Sequence, residues 1–188
     1  MKFRTIAAVL AATMTLSLSA ELKFGTVDMM LLVKNHPNYE SNKALLESTD
    51  KDYQKKLEGV KSEGDSLQNE GKKLMDQMRN PMLTAKAKAD IEKQLGEIQQ
   101  KLMAIEQRYR SEAMRCRQDL QDLEGRLLKT TTDDLRKRIN KYAEANGFDL
   151  IIDQTAAAYA KKSFDVTDGL LKDLGVDPTN AKGRDEGK

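Results

Sequence analysis

The chain has 188 residues, of which 33% are charged and 5% aromatic, with no tryptophan and a formal net charge of +2 at pH 7. Such a composition argues against a large globular core, and the small net charge argues against a general nucleic-acid-binding protein. With one histidine, one cysteine and no catalytic motif, the sequence predicts neither an enzyme nor a bound metal or cofactor.

Residues 1–20 have the features of a signal peptide. Lys2 and Arg4 precede an apolar run from Thr5 to Leu18, and small residues stand before a cleavage site near Ala20. The alternative interpretation is an uncleaved membrane anchor. The apolar run is short for a bilayer span, which disfavours that alternative. Cleavage would leave equal numbers of basic and acidic residues. No later segment is apolar enough to span a bilayer, so we expect an exported, soluble chain.

A short strand is predicted over Leu22 to Val27, and a short helix begins within Met29 to Val33. His36-Pro37-Asn38 reads as a loop, because a proline disfavours helical geometry in the residue before it. We interpret His36, the only histidine, as a surface loop residue and not as a ligand or base.

Two long charged segments then share one hydrophobic rhythm and are separated by Asn80-Pro81. Apolar positions alternate every three and four residues, which is the heptad pattern of helices that wind around each other. The first helix is predicted from about Ser41 to Met78, an arm of about 55 Å. Thr84 is a plausible N-cap for the second helix, which reaches Asn146. The seam residues are Tyr53, Leu57, Val60, Gly64, Leu67, Gly71, Leu74 and Met78, then Ile91, Leu95, Ile98, Leu102, Ile105 and Tyr109.

Several positions disturb this rhythm. Gly64 and Gly71 leave gaps in the seam and indicate either tolerated drift or an arm that bends. A slip of the repeat near Tyr109 predicts that the pairing changes partner or hand there. Thr130–Thr132 is expected to interrupt the helix. Cys116 lies on the apolar stripe and is interpreted as a buried small hydrophobe, with an intermolecular disulfide as the alternative.

Beyond the slip, the second helix has more apolar length than the first helix can cover. A second copy of the chain is the simplest source of a partner for that surplus. The residues concerned are Leu120, Leu123, Leu127, Leu135 and Ile139.

Asn146-Gly147 is a helix-ending signal, and Phe148 to Asp153 follows as a strand with Phe148, Leu150 and Ile152 on one face. A further short strand is expected over Ala156 to Ala160. A last helix over Asp165 to Leu174, capped by Asp165 or Thr167, precedes polar residues 176–188, which we expect to be disordered. The predicted division is a body of residues 21–40 and 130–175, with an arm of residues 41–129 whose turn lies at 79–84.

The order of these elements resembles the Skp/OmpH family of periplasmic chaperones over about Leu22 to Leu174. The motifs that carry the resemblance are Lys23-Phe24-Gly25-Thr26-Val27-Asp28-Met29, Gly147-Phe148-Asp149-Leu150-Ile151-Ile152-Asp153, Ala157-Ala158-Tyr159-Ala160 and Asp165-Val166-Thr167-Asp168. The resemblance implies a mostly α, α+β protein in which coiled-coil hairpins hang as tentacles from a strand-based body, giving a jellyfish-like homotrimer. The expected trimer-body residues are Phe24, Val27, Phe148, Leu150, Ile152 and Tyr159.

The resemblance also implies an ATP-independent holdase that keeps unfolded outer-membrane β-barrel proteins from aggregating in the periplasm. Between Lys72 and Lys93 there are six basic and three acidic residues, so the arm tip is positive. Because the exported chain is near neutral, we expect only weak contact with lipopolysaccharide or a membrane surface. The alternative is a structural coiled-coil adaptor of the cell envelope with one fixed partner. The expected client-binding tip residues are Lys72, Lys73, Leu74, Met75, Met78, Arg79, Met82, Leu83, Lys86 and Lys88.

Overall fold

The structure, a computed structural model, describes residues 22–184 and shows a long helical hairpin attached to a small body. The predicted signal peptide lies outside the described residues. The mostly helical α+β class is confirmed. In chain order the elements are β1 (Phe24–Val27), α1 (Met29–Lys34), α2 (Tyr39–Met78), α3 (Ala85–Asn146), β2 (Leu150–Asp153) and α4 (Thr167–Asp173), with three short 3-10 turns at Gln154–Ala156, Lys162–Phe164 and Pro178–Asn180.

The arm consists of α2 and the antiparallel part of α3. α2 has 40 residues, which corresponds to about 60 Å, and begins two residues before the predicted start. In the turn, Asn80 Oδ1 accepts a hydrogen bond from the Met82 N–H at 3.0 Å. The predicted N-cap is confirmed, since Thr84 Oγ1 accepts from the Ala87 N–H at 3.3 Å. These two side-chain bonds satisfy backbone groups that the ends of the helices leave free.

The predicted seam holds the two helices together. Its most buried members are Val60, Gly71, Ile91, Ile98 and Cys116. A Cβ placed on Gly64 would lie 3.5 Å from Ile105 Cγ2, and one on Gly71 would lie 3.7 Å from Ile98 Cγ2. Both distances are ordinary van der Waals contacts, so each glycine leaves room for a methyl group next to an isoleucine of α3.

α3 is one continuous helix of 62 residues, so the predicted interruption at Thr130–Thr132 is wrong. The Thr130 hydroxyl donates to the Arg126 carbonyl at 2.9 Å, and the Thr132 hydroxyl donates to the Leu128 carbonyl at 3.0 Å. These bonds satisfy the two hydroxyls within the helix. Thr131 is buried and bonded to Asn42 of α2, and this tertiary packing outweighs the weak helix propensity of the run.

The predicted change of partner near Tyr109 is also wrong. α2 and α3 stay paired beyond it, with Lys56 Nζ 2.5 Å from Glu112 Oε2 and Asn42 Nδ2 3.4 Å from Thr131 Oγ1.

The last turns of α3 then enter the body. There Leu135 is 1% exposed and Ile139 is partly buried, both packed with residues of the same chain. For these two residues the expected second copy is unnecessary, because α1 and α4 cover them.

The body is a small core beneath a two-stranded parallel sheet. The register runs from Phe24 opposite Leu150 to Val27 opposite Asp153. Below the sheet, α1, α4 and the end of α3 bury one apolar cluster. Its buried members are Val27, Leu31, Leu32, Leu135, Val166, Leu170, Leu171 and Ala181.

His36 is buried in the short link between α1 and α2, so its interpretation as a surface loop residue is wrong. Its Nε2 lies 3.1 Å from Asp134 Oδ2 on α3, and its Nδ1 accepts from the Asn38 N–H at 3.2 Å. The link is too short to leave the surface of α3. The ring therefore lies at the junction between the arm and the body.

The segment between β2 and α4 differs from the expectation. Ala156–Ala160 is not a strand: a 3-10 turn occupies Gln154–Ala156, and Asp153 Oδ1 accepts from the Thr155 N–H at 3.0 Å. An aspartate that bonds the N–H two residues ahead favours a turn over an extended chain. Asp165 similarly accepts from the Thr167 N–H at 2.9 Å, next to the start of α4.

The expectation of disorder from residue 176 is wrong over residues 176–184. Pro178–Asn180 forms a 3-10 turn, and both Pro178 and Ala181 are buried. Although the segment is polar on average, its two small apolar residues reach the core. Residues 185–188 lie outside the described part of the chain.

Candidate functional site

The predicted tip residues lie together at the free end of the arm. Leu74, Met78 and Leu83 are half-buried along the seam. By contrast, Met75 is 52% exposed and Met82 is 87% exposed. The tip therefore offers two accessible thioether side chains, which adapt to partners of varied shape.

The tip is also rich in exposed positive charge. The basic residues concerned are Lys72, Lys73, Arg79, Lys86 and Lys88. Arg79 pairs with Asp76 at 3.6 Å, while the other four form no ion pair within residues 22–184. Their positive charge therefore remains exposed at the tip, where salt screens it.

A groove of about 520 Å³ opens on one side of the arm, near its middle. Leu102, Ile105 and Gly64 lie along the seam in this groove, and Met103 and Tyr109 extend its apolar lining. The remaining lining side chains are polar, namely Lys61, Asp65, Gln68, Gln99 and Glu106. The groove thus combines an apolar floor with amide and charged groups.

A second groove, of about 240 Å³, lies on the arm near the body. Its lining includes Tyr39, Lys43 and Leu46 from α2 with Leu127 and Leu128 from α3. Lys43 precedes Lys61 of the first groove by 18 residues, which is five full helical turns. Both grooves therefore open on the same side of α2.

Exposed apolar residues of α3 follow that same side. Met103, Met114 and Leu128 are 57%, 74% and 51% exposed. A spacing of 11 residues returns a helix to within about 20° of the same face, and one of 14 residues to within about 40°. On α2, Met75 follows Gln68 by seven residues and shares its side. We call this side the open flank, made of Lys61, Asp65, Gln68, Met75, Gln99, Met103, Glu106, Met114 and Leu128.

The opposite side of the arm is closed by ion pairs between the helices. Lys56 pairs with Glu112 at 2.5 Å, and Arg108 pairs with Glu63. Glu63 lies two residues after Lys61, and Arg108 two residues after Glu106, so each is about 200° around its helix from the open flank. We call the side that carries Lys56, Glu63, Arg108 and Glu112 the paired flank.

The charges of the paired flank reinforce each other. The hydrogen bond between Lys56 and Glu112 raises the pKa of Lys56 and lowers the pKa of Glu112. Both groups are in contact with solvent, where such pairs contribute little to stability. These pairs join the two helices along the paired flank, whereas Lys61 and Glu106 of the open flank pair only within their own helices, with Glu58 and Arg110.

The body has its own exposed apolar patch, on the outer face of the sheet. Phe24, Leu150 and Ile152 are 45%, 49% and 36% exposed, and Tyr159 is 82% exposed. Together they line one shallow groove with Phe164. We call this set of five residues the body patch.

The other two expected trimer-body residues are placed differently. Val27 is 2% exposed in the core of this chain. Phe148 is half-buried and stacks on Tyr142, with ring centroids 6.1 Å apart. Both side chains are occupied within the chain.

The open flank is the part of the site that sequence reasoning missed. The heptad seam predicts only which residues lie between the helices, and Met103, Met114 and Leu128 are not among them. Their 11- and 14-residue spacings were available in the sequence as a signal of a shared face. The ion pairs between the helices lie on one side of the arm only. Which side this is depends on contacts between α2 and α3, which the sequence does not give.

Within residues 22–184, no group of His, Cys, Asp or Glu side chains is arranged to hold a metal ion. No helix of that part of the chain combines the length and apolar character needed to cross a membrane.

The family model described as "Outer membrane protein (OmpH-like)" matches residues 23–174. A search of curated proteins found no match. The matched range contains the sheet, the whole arm and α4, and ends before the segment 176–184.

Proposed function

We propose that this chain, which belongs to the OmpH-like family, is a periplasmic holdase that works without ATP and binds unfolded outer-membrane β-barrel proteins. The observation that carries the proposal is the open flank. Its exposed methionines and leucine lie beside grooves with an apolar floor, while the charges of the other flank pair with each other. Holding of this kind involves neither catalysis nor a bound cofactor.

The chemistry of the open flank fits an unfolded β-barrel client. Such a client exposes apolar strand segments that would otherwise pair edge to edge and aggregate. Leu102 and Ile105 can receive apolar side chains, and the Gln68 and Gln99 amides can bond an unpaired peptide backbone. Methionine adapts to varied sequences, which suits a binder with many clients.

The distance between the two grooves fits an extended segment. Ile105 and Leu127 are 22 residues apart on α3, which corresponds to about 33 Å. An extended chain covers that distance with about ten residues, and a transmembrane β-strand has about 9–11. We therefore propose that one strand-length segment of a client lies along the open flank.

Each contact on this flank is weak. Covering a half-exposed methionine or leucine contributes about 1 kcal/mol. Several such contacts, repeated on linked arms, add by multivalency and still allow the client to leave. Weak, repeated contacts suit a holdase that has no energy source for release.

The linked arms require an oligomer, and we propose that the body patch supplies its interface. A two-stranded sheet is rarely stable by itself, and exposed aromatic and aliphatic side chains on one face typically mark an interface. We propose a homotrimer held by Phe24, Leu150, Ile152, Tyr159 and Phe164. The three arms would then enclose a client, as in the jellyfish-like arrangement expected above.

The charge distribution refines the expected partners. Positive charge gathers at the tip, whereas the chain as a whole is near neutral. We propose that the lysines and the arginine of the tip attract acidic clients by their charge. Their contact with lipopolysaccharide or a membrane surface is at most weak. Nucleic acid is not among the proposed partners.

The test is suppression of aggregation. An unfolded outer-membrane β-barrel protein is diluted out of denaturant, and its light scattering is followed with increasing amounts of this protein. We expect full suppression near one trimer per client. In the double variant Met103→Gln/Met114→Gln, which keeps chain length and helix propensity, we expect three- to tenfold more protein to be needed.

The matched control changes exposed apolar residues that lie off the open flank. Leu45, 46% exposed, precedes Glu63 of the paired flank by five full turns, and Met30, 63% exposed, is in the body. The variant Leu45→Gln/Met30→Gln should suppress scattering like the unchanged protein. If the unchanged protein leaves scattering unaffected, it is not a holdase. If both double variants lose the same amount, the open flank is not the binding surface.

A further inference from the structure

The segment 176–184 runs back across the body to the root of the arm. It follows α4 and lies beyond the range that the family model matches. Val176 packs on the core, and its N–H donates to the Leu171 carbonyl at 2.9 Å. The 3-10 turn that follows is capped by Asp177, which accepts from the Thr179 N–H at 2.9 Å. These contacts give the segment an ordered backbone conformation on the body.

Two buried residues anchor this segment in the body. Pro178 is buried, and Ala181 is 7% exposed within the main core cluster. Arg184, further along, pairs with Asp168 in the first turn of α4. These contacts fix the segment on the body side.

On its other side the segment 176–184 contacts the end of α1 and the first turn of α2. Asn35, in the link between α1 and α2, makes a two-bond amide pair with Lys182. The Lys182 N–H donates to Asn35 Oδ1 at 2.9 Å, and Asn35 Nδ2 donates to the Lys182 carbonyl at 3.0 Å. The Lys182 ammonium lies 2.5 Å from Glu40 Oε1 in the first turn of α2.

The link between α1 and α2, residues 35–38, is where α2 joins the body. We call this end of α2 the root of the arm. α3 passes from the arm into the body as an unbroken helix, whereas α2 joins the body only through residues 35–38. That link is held by His36 against Asp134 on one side and by Asn35 against Lys182 on the other. These two contacts tie the link to α3 on one side and to the segment 176–184 on the other.

We propose that residues 176–184 are a strap that fixes the root of α2 to the body and so sets how stiffly the arm is held. The strap keeps the first turns of α2 closed on α3, beside the groove lined by Tyr39, Lys43 and Leu128. Its grip depends on two amide hydrogen bonds and one exposed ion pair. Such a grip is strong enough to order the root and weak enough to open locally.

Amide hydrogen exchange on the full protein tests this proposal. The amides of residues 43–50 bond the carbonyls of the first two turns of α2 and so report on the root. Asn35→Ala removes both amide bonds to Lys182 and also the bond from Asn35 Nδ2 to the Leu31 carbonyl at 2.8 Å. We expect about tenfold faster exchange at 43–50. The control Asn80→Ala removes an Asn side-chain bond to a backbone N–H at the far end of the arm and should leave 43–50 unchanged.

A second variant, a chain that ends at Gly175, removes the whole strap. It should accelerate exchange at 43–50 at least as much as Asn35→Ala does, while amides in the middle of α3 keep their protection. Because Asn35→Ala also loses the bond to Leu31 and the truncation also loses Ala181, the proposal requires faster exchange at 43–50 in both variants. Unchanged exchange at 43–50 in Asn35→Ala would overturn the proposal. So would an equal acceleration over the whole body, which would mean that Asn35 serves general stability and not the root.

Discussion

Replacing Leu135 by alanine tests where the lower part of α3 belongs. The side chain is 1% exposed and lies in one cluster with Leu32, Leu170 and Leu171. Removing a leucine side chain from a closed core costs the transfer free energy of the lost atoms plus the cost of the cavity, together about 3 kcal/mol. We expect the free energy of unfolding to fall by about that amount.

The matched control is Leu128→Ala, one heptad earlier on the same helix. Leu128 is 51% exposed, so the loss should stay below about 1.5 kcal/mol. Both variants keep helix propensity, because alanine is the best helix former. The difference between them therefore measures burial.

The assay is urea unfolding followed by circular dichroism, at one protein concentration for all variants, because an oligomer's stability depends on concentration. Equal losses for the two variants, or a loss below about 1 kcal/mol for Leu135→Ala, would refute the reasoning. Either result would mean that Leu135 is not packed in the core of its own chain.

Three further predictions concern the body and its junction with the arm. Gly169→Ala should lower the melting temperature in a thermal scan, because a Cβ there would overlap the Tyr142 hydroxyl group; an unchanged melting temperature would contradict this packing. The Arg138 guanidinium, and then His36, lower the pKa of Asp134, so its carboxylate contributes stability that is complete above its ordinary pKa and lost as the pH falls through the lowered one. Asp134→Asn should therefore reduce the pH dependence of stability below about pH 4, and acid titrations that superimpose with those of the unchanged protein would contradict it. Leu150→Ser/Ile152→Ser should lower the native mass toward that of one chain while helicity remains, and an unchanged mass would remove the body patch as an interface.

The arm was largely predictable from the sequence because its signals are local and repeated. A heptad seam over many turns gives both helices, Asn80-Pro81 gives the turn, and Thr84 gives the cap that the structure shows. Each of these signals depends on neighbours a few residues away. They needed no knowledge of the rest of the chain.

The wrong predictions concern residues whose structure is determined by contacts with segments far away in the sequence. Thr130–Thr132 has weak helix propensity, but α3 continues because Thr131 is buried and bonded to Asn42 of α2. His36 next to a proline looked like a surface residue, but Asp134, almost a hundred residues later, covers it. The polar segment 176–184 is ordered by contacts with Asn35 and Glu40, which no local pattern contains.

The candidate site divides in the same way. The tip methionines and lysines were recognisable from composition near the turn. The open flank was not, because it depends on which side of the hairpin Lys56 and Arg108 close with their ion pairs. Pairing between two helices, and not the pattern within one, makes the two sides of the arm different.

Site-specific photo-crosslinking tests the central claim most directly. A photoreactive residue is placed at Met103 on the open flank or at Leu45 on the opposite side, and the protein is illuminated with an unfolded outer-membrane β-barrel protein. The account predicts crosslinks to the client from position 103 and few from position 45, both lost once the client has folded. Equal crosslinking from the two positions, or none from position 103, would contradict it.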